Sequence, residues 1–191
     1  MRSITPVARD ARYGATAIFF HWITAALILI NWLLPQLTEL VARQNAPQVI
    51  ALHRSIGVTV LALVLLRAIW RLVSPPPPLP GGTAQLVRIG AKLGHAALYL
   101  LMLAMPVFGI LFTWAAGRTL TVWGVADFPP PAWVDPALRG TFRDLHEISA
   151  NALLWLIGFH AAAALMHQYF FKDGLLDRML PARLRRRTAA S

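Results

Sequence analysis

Four long apolar runs constrain the fold of this chain more than any other feature. They cover 15–34, 49–72, 93–114 and 148–171, and each is between 20 and 24 residues long. At about 1.5 Å of rise per helical residue, such a run crosses about 30 Å of hydrocarbon. Within lipid, a single segment satisfies its own backbone polar groups only as a helix. The sequence therefore predicts an all-α integral membrane four-helix bundle that occupies 1–191 as one domain.

The composition excludes several classes of protein. Hydrophobic residues make up 57% of the chain and charged residues only 14%, too few charges for a soluble protein of this size. The absence of cysteine excludes disulfides, thiolate zinc sites, iron–sulfur clusters and covalently attached haem. The net charge of +10 lies at the chain ends and in the loops, so it indicates contact with anionic lipid rather than with nucleic acid. Phosphate-binding, nucleophile-elbow and zinc-protease motifs are also absent.

The distribution of lysine and arginine predicts the orientation in the membrane. Basic residues dominate both termini and the loop between the second and third spans, whereas acidic residues offset them in the other two loops. We therefore expect both termini to be cytoplasmic. The basic residues of this argument are Arg2, Arg9, Arg12, Arg71, Arg88, Lys92, Lys172, Arg178, Arg183, Arg185, Arg186 and Arg187.

The connections between the spans also carry expectations. The first apolar run is longer than that of a signal peptide and lacks a small-residue cleavage site, so we interpret it as the first span. The run Pro75–Pro78 followed by Gly81 and Gly82 predicts a stiff connector and then a flexible one. In the loop between the third and fourth spans, a short surface helix is expected around 136–145.

All six histidines lie in or at the ends of the predicted spans. An ionisable side chain within the membrane is costly and indicates a functional site. Any one histidine taken alone is equally well explained as an interfacial or capping residue, but six of six favour function. They are His21, His53, His95, His146, His160 and His167.

The depths of four of these histidines predict two pairs. His146 and His160 are 14 residues apart, so they lie on one helix face with about 21 Å between them and cannot share one metal. His53 begins its span from the outer side, level with His146, while His21 begins its span from the cytoplasm and reaches the level of His160. Each pair, His53 with His146 and His21 with His160, would supply two axial imidazoles to a haem. Such ligation leaves no open iron position, which suits electron transfer.

Other polar residues near the cytoplasmic side remain open to more than one interpretation. His167 and His95 are candidate contacts for a quinone, or else ordinary interfacial residues. Arg67 is a candidate partner for a haem propionate. Several glycines would admit a planar ring or serve helix packing: Gly57, Gly94, Gly109 and Gly158.

These residues resemble the motifs of the bacterial cytochrome b561 family over about residues 10–182. The resemblance implies a protein of the bacterial inner membrane with two haem b groups, which exchanges electrons with ubiquinone and uses His21, His53, His146 and His160 as axial ligands. It also implies kinship with the haem-bearing subunits of nickel–iron hydrogenases and formate dehydrogenases. The motifs are Phe20-His21-Trp22, Leu52-His53, Leu93-Gly94-His95, Leu145-His146-Glu147, Phe159-His160 through Met166-His167, and Tyr169 through Asp173.

Two functional hypotheses follow from this resemblance, and a third is independent of it. One branch of the family is a superoxide:ubiquinone oxidoreductase, and in such an enzyme Arg118, Arg139 and Arg143 would steer superoxide to the outer haem. That branch has basic residues in the loop matching 74–87, which contains no lysine here. The alternative is an electron-conduit or anchor subunit for a partner dehydrogenase or hydrogenase. The third hypothesis is a transporter with histidine proton relays. The sequence assigns no catalytic residue.

Overall fold

The computed structural model describes residues 12–78 and 84–181. Four helices in these ranges are long and apolar enough to cross a membrane, and the expected all-α membrane bundle is confirmed. The helices are α1 (Ala15–Leu37), α2 (Ala46–Val73), α3 (Gln85–Ala115) and α4 (Arg139–Met166), and the two short strands are β1 (Leu120–Val122) and β2 (Ala126–Phe128).

Some residues named in the sequence analysis lie outside the described ranges. The cytoplasmic position of the termini stays a prediction. The residues outside the described ranges are Arg2, Arg9, Gly81, Gly82, Arg183, Arg185, Arg186 and Arg187.

The helices extend beyond the apolar runs that predicted them. α3 begins at Gln85, eight residues before the third run, and α4 begins at Arg139, nine residues before the fourth. Residues 136–145 are helical, as expected, but they do not form a short helix of their own. Only one 3-10 turn, Pro136–Leu138, precedes Arg139, and the chain then continues directly into α4. Hydropathy detects the part of a helix that lies in lipid, but not its polar extension into the interface.

A small hairpin between α3 and α4 was not expected from the sequence. β1 and β2 pair antiparallel, and the turn between them places Trp123 at φ 54° and Gly124 at φ 69°. Two hydrogen bonds hold the strained Trp123 against α2: its backbone N–H donates to Ser55 Oγ at 2.9 Å, and its indole N–H donates to Thr59 Oγ1 at 3.0 Å. Strands of three residues are too short to show a periodic pattern in the sequence.

The segment after α4 folds back over the end of the bundle that contains His21. A five-residue π-helix, His167–Phe171, ends at Lys172 in the left-handed conformation. Farther on, the Trp22 indole donates to the Met179 carbonyl at 2.8 Å, and the buried Arg178 donates to the Pro78 carbonyl at 2.8 Å. These contacts tie the C-terminal segment to α1 and to the residues that follow α2.

Candidate functional site

α4 stands apart from the first two helices. It packs against α3, whereas no Cα atom of α4 lies within 8 Å of a Cα atom of α1 or α2. Leu153, which is only 2% exposed, fills the middle of this space together with Val64 of α2. Leu153 lies seven residues from both His146 and His160, so it separates the part of the space beside His146 from the part beside His160. We call the part that contains His53 and His146 the His53 end, and the part that contains His21 and His160 the His21 end.

At the His53 end, His53 and His146 face each other from α2 and α4. Their ring centres are 6.1 Å apart and the rings are nearly perpendicular, at 89°. Each ring is held by its Nδ1, that of His53 by the Asn31 carbonyl at 2.9 Å and that of His146 by the Met105 carbonyl at 2.8 Å. Because a carbonyl only accepts hydrogen bonds, both Nδ1 atoms are donors and both Nε2 atoms keep a free lone pair.

This geometry fits a metal between the two rings. Metal–imidazole bonds of about 2.0–2.1 Å and a ring radius of about 1.1 Å put the centres of two collinear imidazoles about 6.3 Å apart. Histidine ligands also usually donate their second nitrogen to a carbonyl or carboxylate, as both do here. Among the described residues no group of three or more histidine or acidic side chains forms a metal site. The two opposed imidazoles, each with its Nδ1 donating to a carbonyl, match a pair of protein ligands to a planar macrocycle.

Gly109 of α3 is the residue that admits His146. A Cβ atom at this position would lie 3.0 Å from both Nδ1 and Cε1 of the His146 ring. The absent side chain thus lets His146 lie flat on α3 and reach the Met105 carbonyl one turn earlier. By contrast, added Cβ atoms at Gly94 and Gly158 would meet nothing within 4 Å, so these two glycines show no comparable requirement.

At the His21 end, three histidines meet instead of two. The ring centres of His21 and His160 are 6.3 Å apart, and those of His95 and His160 are 5.5 Å apart. The first distance equals that of a collinear metal bridge, about 6.3 Å, and the second is shorter. The structure therefore brings together the two histidines that were paired by depth and adds His95 as a close neighbour of His160.

Arg67 contacts the His21 ring directly. Its guanidinium Nη2 lies 3.1 Å from Nδ1 of His21. Since a guanidinium only donates, Nδ1 is the acceptor here and Nε2 carries the proton. A metal bound at Nε2 therefore requires Arg67 to release this nitrogen.

Arg67 belongs to a cleft beside the His21 end. The guanidinium groups of Arg67 and Arg71 both lie over the Tyr99 ring, each 5.7 Å from its centre. No ion pair of Arg67 or Arg71 with a carboxylate is present in the described part of the chain. Two cations on one aromatic ring make the cleft suitable for an anionic or carbonyl-bearing ligand. Its lining consists of Tyr13, Ala17, Arg67, Trp70, Arg71, Ser74, Pro76, His95, Tyr99 and Met179.

His167 lies outside both histidine groups. Its Nδ1 donates to Asp173 Oδ2 at 2.5 Å, and its ring packs against Phe171 at 5.1 Å. The π-helical turn that begins at His167 and the left-handed Lys172 bring Asp173 back under the imidazole. Such a single-turn π-helix often marks a functional position. The sequence analysis singled out His167 but not the carboxylate that holds it.

At the His53 end, one basic residue that was expected to attract superoxide is ion-paired, and another basic residue was not predicted. Arg143 forms an ion pair with Glu147 at 2.8 Å on the exposed face of α4, so its charge is partly neutralised. Arg54, which follows His53, is half-buried, and the positive charge of Arg118 is close enough to repel that of Arg54. The sequence analysis missed Arg54, although its position beside a candidate ligand was a usable signal.

Two buried polar oxygens in α1 point to an interior that is not completely filled by the protein. Thr24 is 1% exposed and Asn31 is 5% exposed, yet Thr24 Oγ1 and Asn31 Oδ1 have no hydrogen-bond partner. Both residues lie on the buried stripe of α1, Thr24 one turn from His21 and Asn31 at the level of His53. Unpaired polar atoms inside a membrane protein are costly and need a partner. They are consistent with a polar or metal-bearing group between the helices.

Four membrane-spanning helices that hold opposed histidine rings across an internal space define a membrane cytochrome that transfers electrons. Comparison with known sequences identifies the family. The family model of prokaryotic cytochrome b561 matches residues 12–182. The chain therefore belongs to the prokaryotic cytochrome b561 family, which binds haem b, and it is a multi-pass bacterial membrane protein.

Three relatives illustrate the similarity. The chain is 31% identical to the probable superoxide oxidase CybB of Yersinia pestis, over 89% of this chain and 96% of the relative. It is 34% identical to cytochrome b561 homolog 2 of Escherichia coli strain K12, over 88% and 91%. It is 32% identical to cytochrome b562 of Cereibacter sphaeroides, over 93% and 100%. The family resemblance expected from the histidine motifs is thus confirmed.

Proposed function

We propose that this cytochrome holds two haem b groups, one between His53 and His146 and one between His21 and His160. The observation that carries the proposal is the gap between α4 and the helices α1 and α2, which is bridged by ring pairs at 6.1 and 6.3 Å. Haem bound at each pair would supply a one-electron carrier on either side of the bilayer centre. Two histidine ligands to each iron would leave no open position for another ligand, which suits electron transfer.

Under this proposal, Arg67 contacts His21 when no haem is bound and would contact a haem propionate once haem is bound. When Nε2 of His21 serves as a ligand, its Nδ1 must carry the proton, so the contact with Arg67 is lost. The released guanidinium, together with Arg71 over the same Tyr99 ring, would be available to pair with haem propionates. Arg67 and Arg71 would thus supply two positive charges to the two propionate carboxylates of a bound haem.

We further propose that the protein oxidises superoxide and reduces ubiquinone in the bacterial inner membrane. Each superoxide anion loses one electron and leaves as dioxygen. One ubiquinone takes up two electrons and two protons to become ubiquinol. Two superoxide anions therefore balance one ubiquinone. The similarity to a probable superoxide oxidase supports the donor, and the bias of basic residues supports His53 at the periplasmic face.

Residues at the two ends suit these roles. At the His53 end, Arg54 and Arg118 add positive charge near the ligand pair and would attract the superoxide anion. At the His21 end, the cleft with Arg71, His95 and Tyr99 offers donors to a quinone carbonyl. The His167–Asp173 pair lies near the same membrane surface and would exchange protons with the cytoplasm.

Superoxide should reduce the purified protein without any partner subunit, and the reduced protein should then pass electrons to ubiquinone. The rate of reduction should fall as salt rises, because exposed charges are screened beyond about 10 Å at 0.1 M salt. Stopped-flow haem spectra at low and high salt measure this, with haem quantified per chain beforehand. Arg54→Gln should slow the reduction at low salt more than Arg143→Gln does, since Glu147 already neutralises Arg143.

Two results would overturn parts of this proposal. Fewer than two haems per chain in the purified protein would exclude the di-haem arrangement. Haems that stay oxidised under superoxide, yet become reduced when a dehydrogenase is supplied, would assign the chain to the electron-conduit class instead.

His160→Ala should bind one haem per chain, and His167→Ala should bind two. His160 faces both His21 and His95, whereas His167 faces Asp173 and Phe171. Pyridine haemochrome analysis of the two purified variants distinguishes them. Two low-spin haems in His160→Ala would instead give the ligand role to His167 or to His95.

A further inference from the structure

Pro35 stands inside α1 and removes one helical hydrogen bond. A helical residue normally donates its N–H to the carbonyl four residues earlier, but proline has no N–H. The carbonyl that Pro35 leaves without its helical donor belongs to Asn31. Asn31 is buried, so water does not replace the missing donor. A carbonyl in this position must find a donor on another part of the protein.

That donor is the Nδ1–H of His53, 2.9 Å from the Asn31 carbonyl. The opposite ligand differs in this respect. His146 donates to the Met105 carbonyl, but residue 109, four positions later, is a glycine that keeps its N–H. The Asn31 carbonyl therefore accepts from His53 without a helical donor of its own. The Met105 carbonyl, which accepts from His146, also has the N–H of Gly109 as its helical donor.

We propose that Pro35 is a positioning residue for the His53 end. By withholding an N–H from Asn31, it reserves the carbonyl for His53, which fixes the ring orientation and keeps the Nε2 lone pair directed at His146. The inference rests on the proposed function, since it takes a haem to be bound between these two rings. A second histidine nitrogen that donates a hydrogen bond makes the ligating nitrogen more basic, which favours the oxidised metal. Pro35 therefore lowers the reduction potential of the haem at the His53 end.

Pro35→Ala returns an N–H to residue 35, and this N–H will compete with His53 for the Asn31 carbonyl. The potential of the His53-end haem should then rise, while the potential of the His21-end haem stays unchanged. At a fixed ambient potential near the midpoint, the ratio of reduced to oxidised haem should increase by up to about tenfold, which is about 59 mV for one electron. Spectroelectrochemical titration of both haems measures this. The His53-end haem is identified as the one that His53→Ala lacks.

Pro47→Ala is the matched control. Pro47 lies in the first turn of α2, where no carbonyl four residues earlier in the helix awaits its N–H, so both potentials should stay unchanged. Pro35→Leu restores the same N–H with a lipid-compatible side chain and should shift the potential in the same direction as Pro35→Ala. Loss of the His53-end haem alone in both Pro35 variants would also support the inference.

The outcomes separate this inference from the proposed function. Wild-type protein with fewer than two haems would overturn the proposed function itself. Two haems in the wild type and in the Pro35 variants, with the His53-end potential unchanged or lowered, would overturn only the role of Pro35. Loss of both haems in both Pro35 variants would also count against it, because the proposal confines the effect to one end of the bundle.

Discussion

Alanine at His53 and alanine at His146 are each expected to remove the same haem and to leave one haem per chain. The two rings face each other at 6.1 Å, and neither α2 nor α4 has another histidine at that level among the described residues. Haem content by pyridine haemochrome, followed by redox titration of the remaining haem, measures the effect. The remaining haem should have the same midpoint potential in both variants.

His21→Ala supplies the comparison for this experiment. It should leave the other haem, with a different midpoint potential from the one that remains in the His53 and His146 variants. His95 makes this comparison necessary, because it lies closer to His160 than His21 does. If His53→Ala and His146→Ala were to retain different haems, the pairing of these two residues would be wrong.

Gly109→Leu is expected to abolish haem binding at the His53 end, and Gly109→Ala to weaken it several-fold. An added Cβ alone would lie 3.0 Å from two atoms of the His146 ring. The ring cannot move away from this Cβ and still face His53 at 6.1 Å. A displaced ring also loses its hydrogen bond to the Met105 carbonyl, which is worth about 0.5–1.5 kcal/mol. Haem per chain should fall from two to one in the leucine variant.

Gly90→Ala on the same helix is the control, because an added Cβ at that position meets nothing within 4 Å. It should keep both haems, which separates the local clash from any general effect of removing a glycine from α3. Retention of two haems with unchanged spectra in Gly109→Leu would mean that His146 adopts another position when haem is bound, and that the glycine is dispensable.

The histidines at the two ends of the bundle differ in their hydrogen bonds and therefore in their tautomers. At the His53 end, backbone carbonyls already hold both rings in the tautomer that a metal needs. At the His21 end, Arg67 holds His21 in the other tautomer, and His95 offers a competing neighbour. We therefore expect haem to bind first at the His53 end during assembly. Under the proposed function, His21 would have to give up its contact with Arg67 before its Nε2 could bind a metal.

The sequence by itself determined the membrane helices and singled out the histidines that are candidate haem ligands. Span length is a local property, since about twenty apolar residues in a row cross a bilayer whatever surrounds them. The spacing of His146 and His160 is equally local, because 14 residues make nearly four helical turns and bring both rings to one face. The family resemblance followed from the same residues, and the match of the family model over residues 12–182 confirmed it.

Only the tertiary structure decided how these histidines are held. Rotation and separation of neighbouring helices are set by packing, so no spacing within a helix reveals that Gly109 admits His146 or that Arg67 contacts His21. The hairpin that holds Trp123 on α2 depends on side chains 64 and 68 residues away. The hydrogen bond between His53 and the Asn31 carbonyl depends both on a sequence signal and on a tertiary contact. Pro35 marks it in the sequence as lacking its helical donor, but its acceptance of His53 depends on how α2 packs against α1.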